Sequence, residues 1–395
     1  VDRPGDDPQS ALFYAPAIGF DVAAVPTDPE KADVESALTL LQRELLGDFP
    51  FVSHSDRAAA LTVLLLPFVR EQIDGPVPII AIEKPTIGTG ASLLVELLTF
   101  PATGVVLTPM NAPRQEEEMR KRITASLLRS PAFMFFDNVS GRFASESLAA
   151  VVTSTEYEDR RLGHSETIRV PVRCGWVITG NNPVYDSEII RRTVRCRLDA
   201  QLDRPWLREV KGFRHPNIRQ WAAAHRADIV WAALVLVRSW LAAGRPVGTP
   251  SLGSFERWSA VMGGIFQTVG VEGFLENLAQ FYDDADVETM AWRDLIARWA
   301  EKFGDREVGS SDLWVLVNPT EGHGDPIDIG LGDGTEKSQK TRLGKRLHAA
   351  RDKRFGPHQI VETRKRQGAQ LWRLKTTEPV NVVNLSERGE RVSTT

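Results

Sequence analysis

The stretch IIAIEKPTIGTGASLLVELL, residues 79–98, decides the fold. Its first six residues are a mostly apolar run of strand length. Residues 85–90, PTIGTG, are turn chemistry, with two glycines free to take φ angles that are strained for other residues. From Ala91 onward the leucines fall on one face of a helix. A strand, a glycine-rich turn and a helix in this order bring backbone N–H groups and a helix N-terminus together where phosphate binds. Such a loop normally carries lysine after its last glycine, then Ser or Thr for Mg²⁺. Here Gly90 is followed by Ala91 and Ser92.

Working outward, strand-like and helix-like segments alternate. VPIIAIE and ASLLVELLTF are followed by TGVVLTP, QEEEMRKRITASLLRS, AFMFFDNV, SESLAAVVTS and RCGWVITGNN. The helix at 115–130 places its acids first and its bases last, as the helix dipole favours. Short apolar strands alternating with helices predict an α/β fold, a parallel sheet with helices on both faces. Between the last helix and strand, YEDRRLGHSETIRVPVR alternates like a β-hairpin. Two leucine-rich helices, near 33–49 and 56–73, precede the sheet, and a tryptophan-rich, almost wholly helical stretch follows it from Pro216. The last part reads helix, helix, basic helix, two short strands, the order of a winged helix. The resulting division is 1–35 linker or tail of an upstream domain, 36–75 helical segment, 76–215 core, 216–291 helical lid, 292–376 winged helix and 377–395 disordered tail.

Composition narrows the function classes. The chain is 42% hydrophobic and 25% charged, ordinary for a globular protein, and has no apolar run near the ~18 residues a membrane span needs. VDRPGDDPQS is no signal peptide, and a start on valine points to excision from a longer protein. Two cysteines make no disulfide framework, so the expected setting is reducing and cytoplasmic. The net charge of −4 hides an asymmetry: residues 336–375 hold thirteen Lys or Arg against three acids. A segment so basic calls for a polyanionic partner.

Several pieces besides the loop carry chemistry. Pro85, Thr86, Gly88, Thr89, Gly90, Ala91 and Ser92 form the phosphate loop, with Pro85 in place of its usual first glycine. The strand FMFFDNV ends in Asp137, where a carboxylate would share Mg²⁺ with Ser92. A third strand ends in TGNN, placing Asn181 or Asn182 near the γ-phosphate and the attacking water. SEIIRRTVRCRL follows, with Arg191 and Arg192 suited to act across a subunit boundary as arginine fingers. The histidines show no metal-ligand spacing, so no zinc site is expected.

In this order and spacing, the motifs resemble the AAA+ helicase-like ATPases encoded by phages, plasmids and integrated elements, often downstream of a primase in one polypeptide. The resemblance runs through the motifs of residues 40–215 and extends to 375 through the basic winged helix. It implies ATP and Mg²⁺ as cofactors, a homo-oligomeric ring, likened to a hexamer because fingers act in trans, single-stranded DNA in the pore and duplex at the winged helix. Two departures stand out. Ala91 sits where the family has lysine while everything around it is intact, which reads as a single Lys→Ala replacement. Asn138 sits where many relatives carry the catalytic glutamate; it orients water but cannot take its proton, leaving Glu146 and Glu118 as weak candidates for the base. Lys84, at the end of the strand, is an alternative cation, since some phosphate loops use an upstream lysine; the plainer reading is a solvated strand-end lysine. With the loop lysine missing, nucleotide binding is expected to survive weakly and hydrolysis to drop, by on the order of 10²–10³ for one lost charge-stabilising group.

For DNA, the basic helix offers Lys340, Arg342, Lys345 and Arg346, read as exposed, as is Arg354 at its end. The following turn, ETRKRQGA, adds Arg364, Lys365 and Arg366. The hairpin around Arg160, Arg161 and His164 resembles those with which ring helicases grip a strand. The expected function is an ATP-driven DNA helicase or translocase module of a mobile element. The alternatives are a nucleotide-gated DNA-binding loader and a transcriptional regulator using an inactive ATPase fold as an oligomerisation scaffold.

Overall fold

The computed structural model describes residues 5–7, 12–14, 19–160, 166–285, 287–319, 325–366 and 368–376. It divides into two compact units, Val1–Ala285 and Asp286–Thr395. No helix among the described residues is long and apolar enough to cross a membrane.

The first unit opens with a small antiparallel pair, β1 (Gly5–Asp7) and β2 (Leu12–Tyr14). Helix α1 (Lys31–Leu38) runs on into a wider π-helical turn over Thr39–Leu45, closed by Leu46 N–H on the Leu41 carbonyl at 3.2 Å. Helix α2 (His54–Val69) is capped by Ser53, whose hydroxyl accepts from Asp56 N–H. Then come β3 (Ile79–Lys84), α3 (Ala91–Thr103), α4 (Glu116–Leu127), β4 (Phe133–Val139), β5 (Arg142–Phe143), α5 (Glu146–Val152), and the hairpin β6 (Glu156–Arg160) and β7 (Thr167–Pro171). β8 (Gly175–Asn181), β9 (Val184–Tyr185), α6 (Ser187–Ile190) and β10 (Thr193–Arg197) follow. Four helices complete the unit: α7 (Ile218–Ala224), α8 (Arg226–Ala242), α9 (Glu256–Val269) and α10 (Leu278–Ala285).

The central sheet is parallel throughout, in the order β10-β3-β8-β4. All six residues of β3 are buried, as expected of a strand covered on both faces. The fold is therefore α/β with a helix-flanked parallel sheet. The strand expected over TGVVLTP is a correction. Helix α3 continues to Thr103, Gly104 ends it in the left-handed region, and Val105 and Val106 are exposed. Only Met110 bridges to Phe136 on the outer edge of β4, through Met110 N–H to Phe135 O (2.8 Å) and Asp137 N–H to Met110 O (3.0 Å). A β-branched pair reads as strand from sequence, but at the sheet's rim nothing covers it.

The helices before and after the sheet share its hydrophobic core, which runs from Leu41 and Leu64 through Phe136 and Trp176 to Trp258 and Phe281. Cys174 and Cys196 are free and buried in it, as expected of small core residues.

The second unit contains α11 (Val287–Phe303), β11 (Val308–Gly309), α12 (Ser310–Val317), α13 (Glu336–Ala349), β12 (Arg354–Phe355), β13 (His358–Arg366) and β14 (Ala369–Thr376). Its sheet is antiparallel, in the order β11-β14-β13-β12. Trp299, Leu313, Leu343, Leu347, Ile360 and Trp372 fill its core. Truncating a buried tryptophan of this kind to alanine costs about 3–5 kcal/mol.

Candidate functional site

The site lies at the carboxyl ends of β3, β8 and β4, where ligands bind in open parallel sheets. Side chains alternate across a strand, and register fixes which residues share a face. Lys84 pairs with Asn181, and Ile82 with Thr179, which bonds Asp137. Lys84, Asn181, Thr179 and Asp137 therefore lie on one face of the sheet, and Glu83 on the other.

Two glycines shape the mouth. Gly88 has φ +76° and Gly90 φ +106°, both strained for any other residue. A Cβ on Gly88 would also lie 2.9 Å from the Cβ of Trp206, which packs on the loop. Thr89 closes the turn by donating to the Thr86 carbonyl at 2.6 Å, and Arg208 donates to the Thr89 carbonyl at 3.2 Å. Gly90 hands the chain to α3, whose first residue, Ala91, is buried.

Ser92 and Asp137 are brought together: Ser92 Oγ donates to Asp137 Oδ1 at 2.8 Å. Thr179 Oγ1 donates to the same oxygen at 2.5 Å and accepts from Asn138 N–H at 2.9 Å. Asn138 holds φ +55°, a left-handed turn that asparagine tolerates. Asn182, at φ +40°, donates its N–H to the Lys84 carbonyl at 3.1 Å and so closes the end of β8 on β3. Asn181 Oδ1 is buried without a hydrogen-bond partner.

Lys84 is not the solvated strand-end lysine expected from sequence. It is 6% exposed, and its side chain makes no hydrogen bond or ion pair to the described residues. Burial pushes its pKa down, and the Asp137 carboxylate opposes that shift. On the opposite face Glu83, 5% exposed, is pushed up to about 7, mainly by burial, with Arg195 and Arg197 pulling the other way. Arg197 Nη1 lies 3.6 Å from it. Asp56, also raised by burial, accepts from Arg197 N–H at 2.7 Å and ties the start of α2 to the end of β10.

The other site candidates fall as follows. Arg191 is exposed at the edge of the sheet and bonds Glu188 at 2.5 Å. Arg192 is 9% exposed and turned back onto the Glu188 carbonyl and carboxylate. Glu118 pairs with Lys121, and Glu146 is exposed in the first turn of α5. In the hairpin, Arg160 ends β6, while Arg161 and His164 lie outside the described residues. The arm is anchored to α4 through Asp159, which accepts from Arg120 (2.9 Å) and Thr124 (2.5 Å).

In the second unit the basic helix is less open than its sequence suggests. The glycine-rich connector folds along α13, and Arg342 donates to the carbonyls of Leu331 and Asp333 and to Ser338 Oγ. Arg346 is likewise half-buried, against Gly330. This corrects their reading as exposed positions: the connector, invisible in a helical wheel, packs along both, and its carbonyls take the Arg342 guanidinium. Lys340 is half-buried and pairs with Glu336 at 2.5 Å, while Lys345 and Arg354 are exposed. Arg364 pairs with Glu307 at 2.9 Å, and Lys365 and Arg366 are exposed near the turn between β13 and β14.

Sequence reasoning missed Thr179, Trp206 and Arg208. Thr179 alone left a signal, a hydroxyl two residues before the strand-end amide. Among the described residues no group of three or more His, Cys, Asp or Glu is placed to hold a metal ion. A Mg²⁺ that keeps its waters and takes phosphate oxygens needs only one or two protein ligands, which the Ser92–Asp137 pair fits. Compared with known proteins, the chain matches no family model and no curated protein.

Proposed function

We propose that this chain is an AAA+-type, ATP-driven DNA translocase or helicase module of a mobile element, with a winged helix as its second unit. The observation that carries the reading is the Ser92–Asp137 hydrogen bond beneath a glycine turn at the carboxyl edge of a parallel sheet. Two residues far apart in sequence meet where a hydroxyl and a carboxylate would share Mg²⁺, and the loop N–H groups and the start of α3 would receive phosphate. Asn181 ends the strand between the loop strand and the acid strand, which supports a role for it as γ-phosphate sensor. When bound, Mg²⁺ supplies charge neutralisation of the transferred phosphoryl group. Arg191, exposed at the sheet edge, suits a finger acting on a neighbouring subunit, and this supports a ring.

In the second unit, the helices, the terminal hairpin and the exposed Lys345, Lys365 and Arg366 support duplex contact through phosphates. Strand displacement tests the motor. The chain and its Ala91→Lys variant are given ATP, Mg²⁺ and a partly single-stranded duplex. The motor reading expects displacement that stops when ATP is replaced by a non-hydrolysable analogue. DNA binding without displacement by either protein supports a loader instead. Tight binding to one duplex sequence, indifferent to nucleotide, supports a regulator built on an ATPase-like scaffold.

A further inference from the structure

We propose that Lys84 is the phosphate-facing cation of this site, taking over from the end of β3 the task that a lysine at position 91 would otherwise perform. The inference rests on the nucleotide reading of the loop and deepens it, because it makes the unsubstituted chain competent rather than disabled.

Three observations converge. First, Lys84 is 6% exposed, and its side chain makes no hydrogen bond or ion pair to the described residues. Lysine is almost never buried unless paired, since enclosing an unpaired ammonium is costly. A fold that tolerates such a group holds it ready for an anion. Second, the group faces the site. Register places Lys84 beside Asn181 on the face that carries Thr179 and Asp137, and Asp137 is the charge acting on it. The two form no ion pair, so the Asp137 charge acts on Lys84 from beyond contact distance, while Asp137 Oδ1 accepts from Ser92 and Thr179. Third, Asn181, its neighbour in register, has a buried amide oxygen without a partner. A buried amide oxygen without a partner, beside a nearly buried lysine side chain that no group among the described residues engages, is what a polar ligand would complete.

Position agrees with chemistry. Lys84 directly precedes the turn whose N–H groups surround the anion, and its flexible four-carbon stem delivers a point charge without the fixed fork of arginine. A nucleoside triphosphate bound to Mg²⁺ is the ligand class, because the same face offers the Ser92 and Asp137 oxygens for the cation.

The test separates this proposal from the reading beneath it. Binding of a ribose-labelled fluorescent ATP analogue with Mg²⁺ is titrated on the full chain and on Lys84→Met, Ala91→Lys and the double variant. Thermal denaturation of each is recorded without nucleotide. Lys84→Met keeps most of the volume and removes a desolvated charge, so its Tm should stay level or rise. Its affinity should fall about 10- to 100-fold, the worth of one charge-assisted contact. The double variant, with the cation moved to position 91, should recover most of that loss. Lys84→Met binding as tightly as the unsubstituted chain overturns the role of Lys84 and leaves the nucleotide site standing. A fall in Tm with no recovery in the double variant makes Lys84 structural and overturns it too. Binding by Ala91→Lys but not by the unsubstituted chain shows a disabled loop, which also overturns it. If neither binds, the nucleotide reading itself is lost.

Discussion

Replacing Thr179 by valine isolates the contact that holds the acid of the site in place. The side chain is fully buried, and valine matches its shape, so no cavity opens. What disappears is the hydrogen bond to Asp137 Oδ1 and the acceptor for Asn138 N–H. A hydrogen bond to a charged group contributes roughly 1.5–3 kcal/mol, and an orphaned buried donor costs roughly 1–3 kcal/mol. Asn138 is exposed, so water relieves part of the second loss. The expected destabilisation is therefore about 2–4 kcal/mol. In a unit of this size that lowers Tm by roughly 4–8 °C. Thr179→Ser, which keeps the hydroxyl, should lose no more than about a third of that. Differential scanning calorimetry on the three proteins decides it. A Thr179→Val transition within a degree of the unsubstituted one, or a serine variant as damaged as valine, refutes the claim that this hydroxyl organises Asp137 and Asn138.

The remaining predictions concern pH, fingers and DNA. Glu83 ionises near 4.5 in the unfolded chain and at about 7 when folded, so between those values the folded state binds the extra proton and stability must fall as pH rises. Asp56 shifts in the same direction; Glu83→Gln should flatten the decline of Tm between pH 5 and 7, whereas an unchanged slope would place the titration elsewhere. Arg191→Ala should leave Tm nearly unchanged while cutting hydrolysis by on the order of 10³, and mixing it with an Asp137→Asn chain should restore part of the activity if the finger acts in trans. In duplex DNA binding, Lys345→Ala and Lys365→Ala should each reduce the log–log salt slope by about one. Arg342→Ala should instead lower the Tm of its unit, because its guanidinium holds loop carbonyls.

Most of the first unit was legible because its signals are local. Apolar runs at 79–84, 133–139 and 175–181 became β3, β4 and β8. The glycine turn between β3 and α3 has the positive φ angles its composition demanded. The meeting of Ser92 with Asp137 followed from placing Ser92 at the helix start after the loop and Asp137 at the end of a neighbouring parallel strand. What escaped depends on distant chain. Val105 and Val106 have strand propensity but no neighbour to cover them. Lys84 reads as solvated until Asp137 and the end of β8 enclose it. Arg342 and Arg346 sit on a basic helix whose connector, far less patterned, folds back to meet them.

The most direct test of the account is steady-state ATP hydrolysis by the unsubstituted chain with Mg²⁺, with and without single-stranded DNA, beside Asp137→Asn. The account predicts turnover without any change at Ala91, a rise on adding DNA, and loss of both in Asp137→Asn. No hydrolysis under any condition, in the unsubstituted chain and in Ala91→Lys alike, would contradict it.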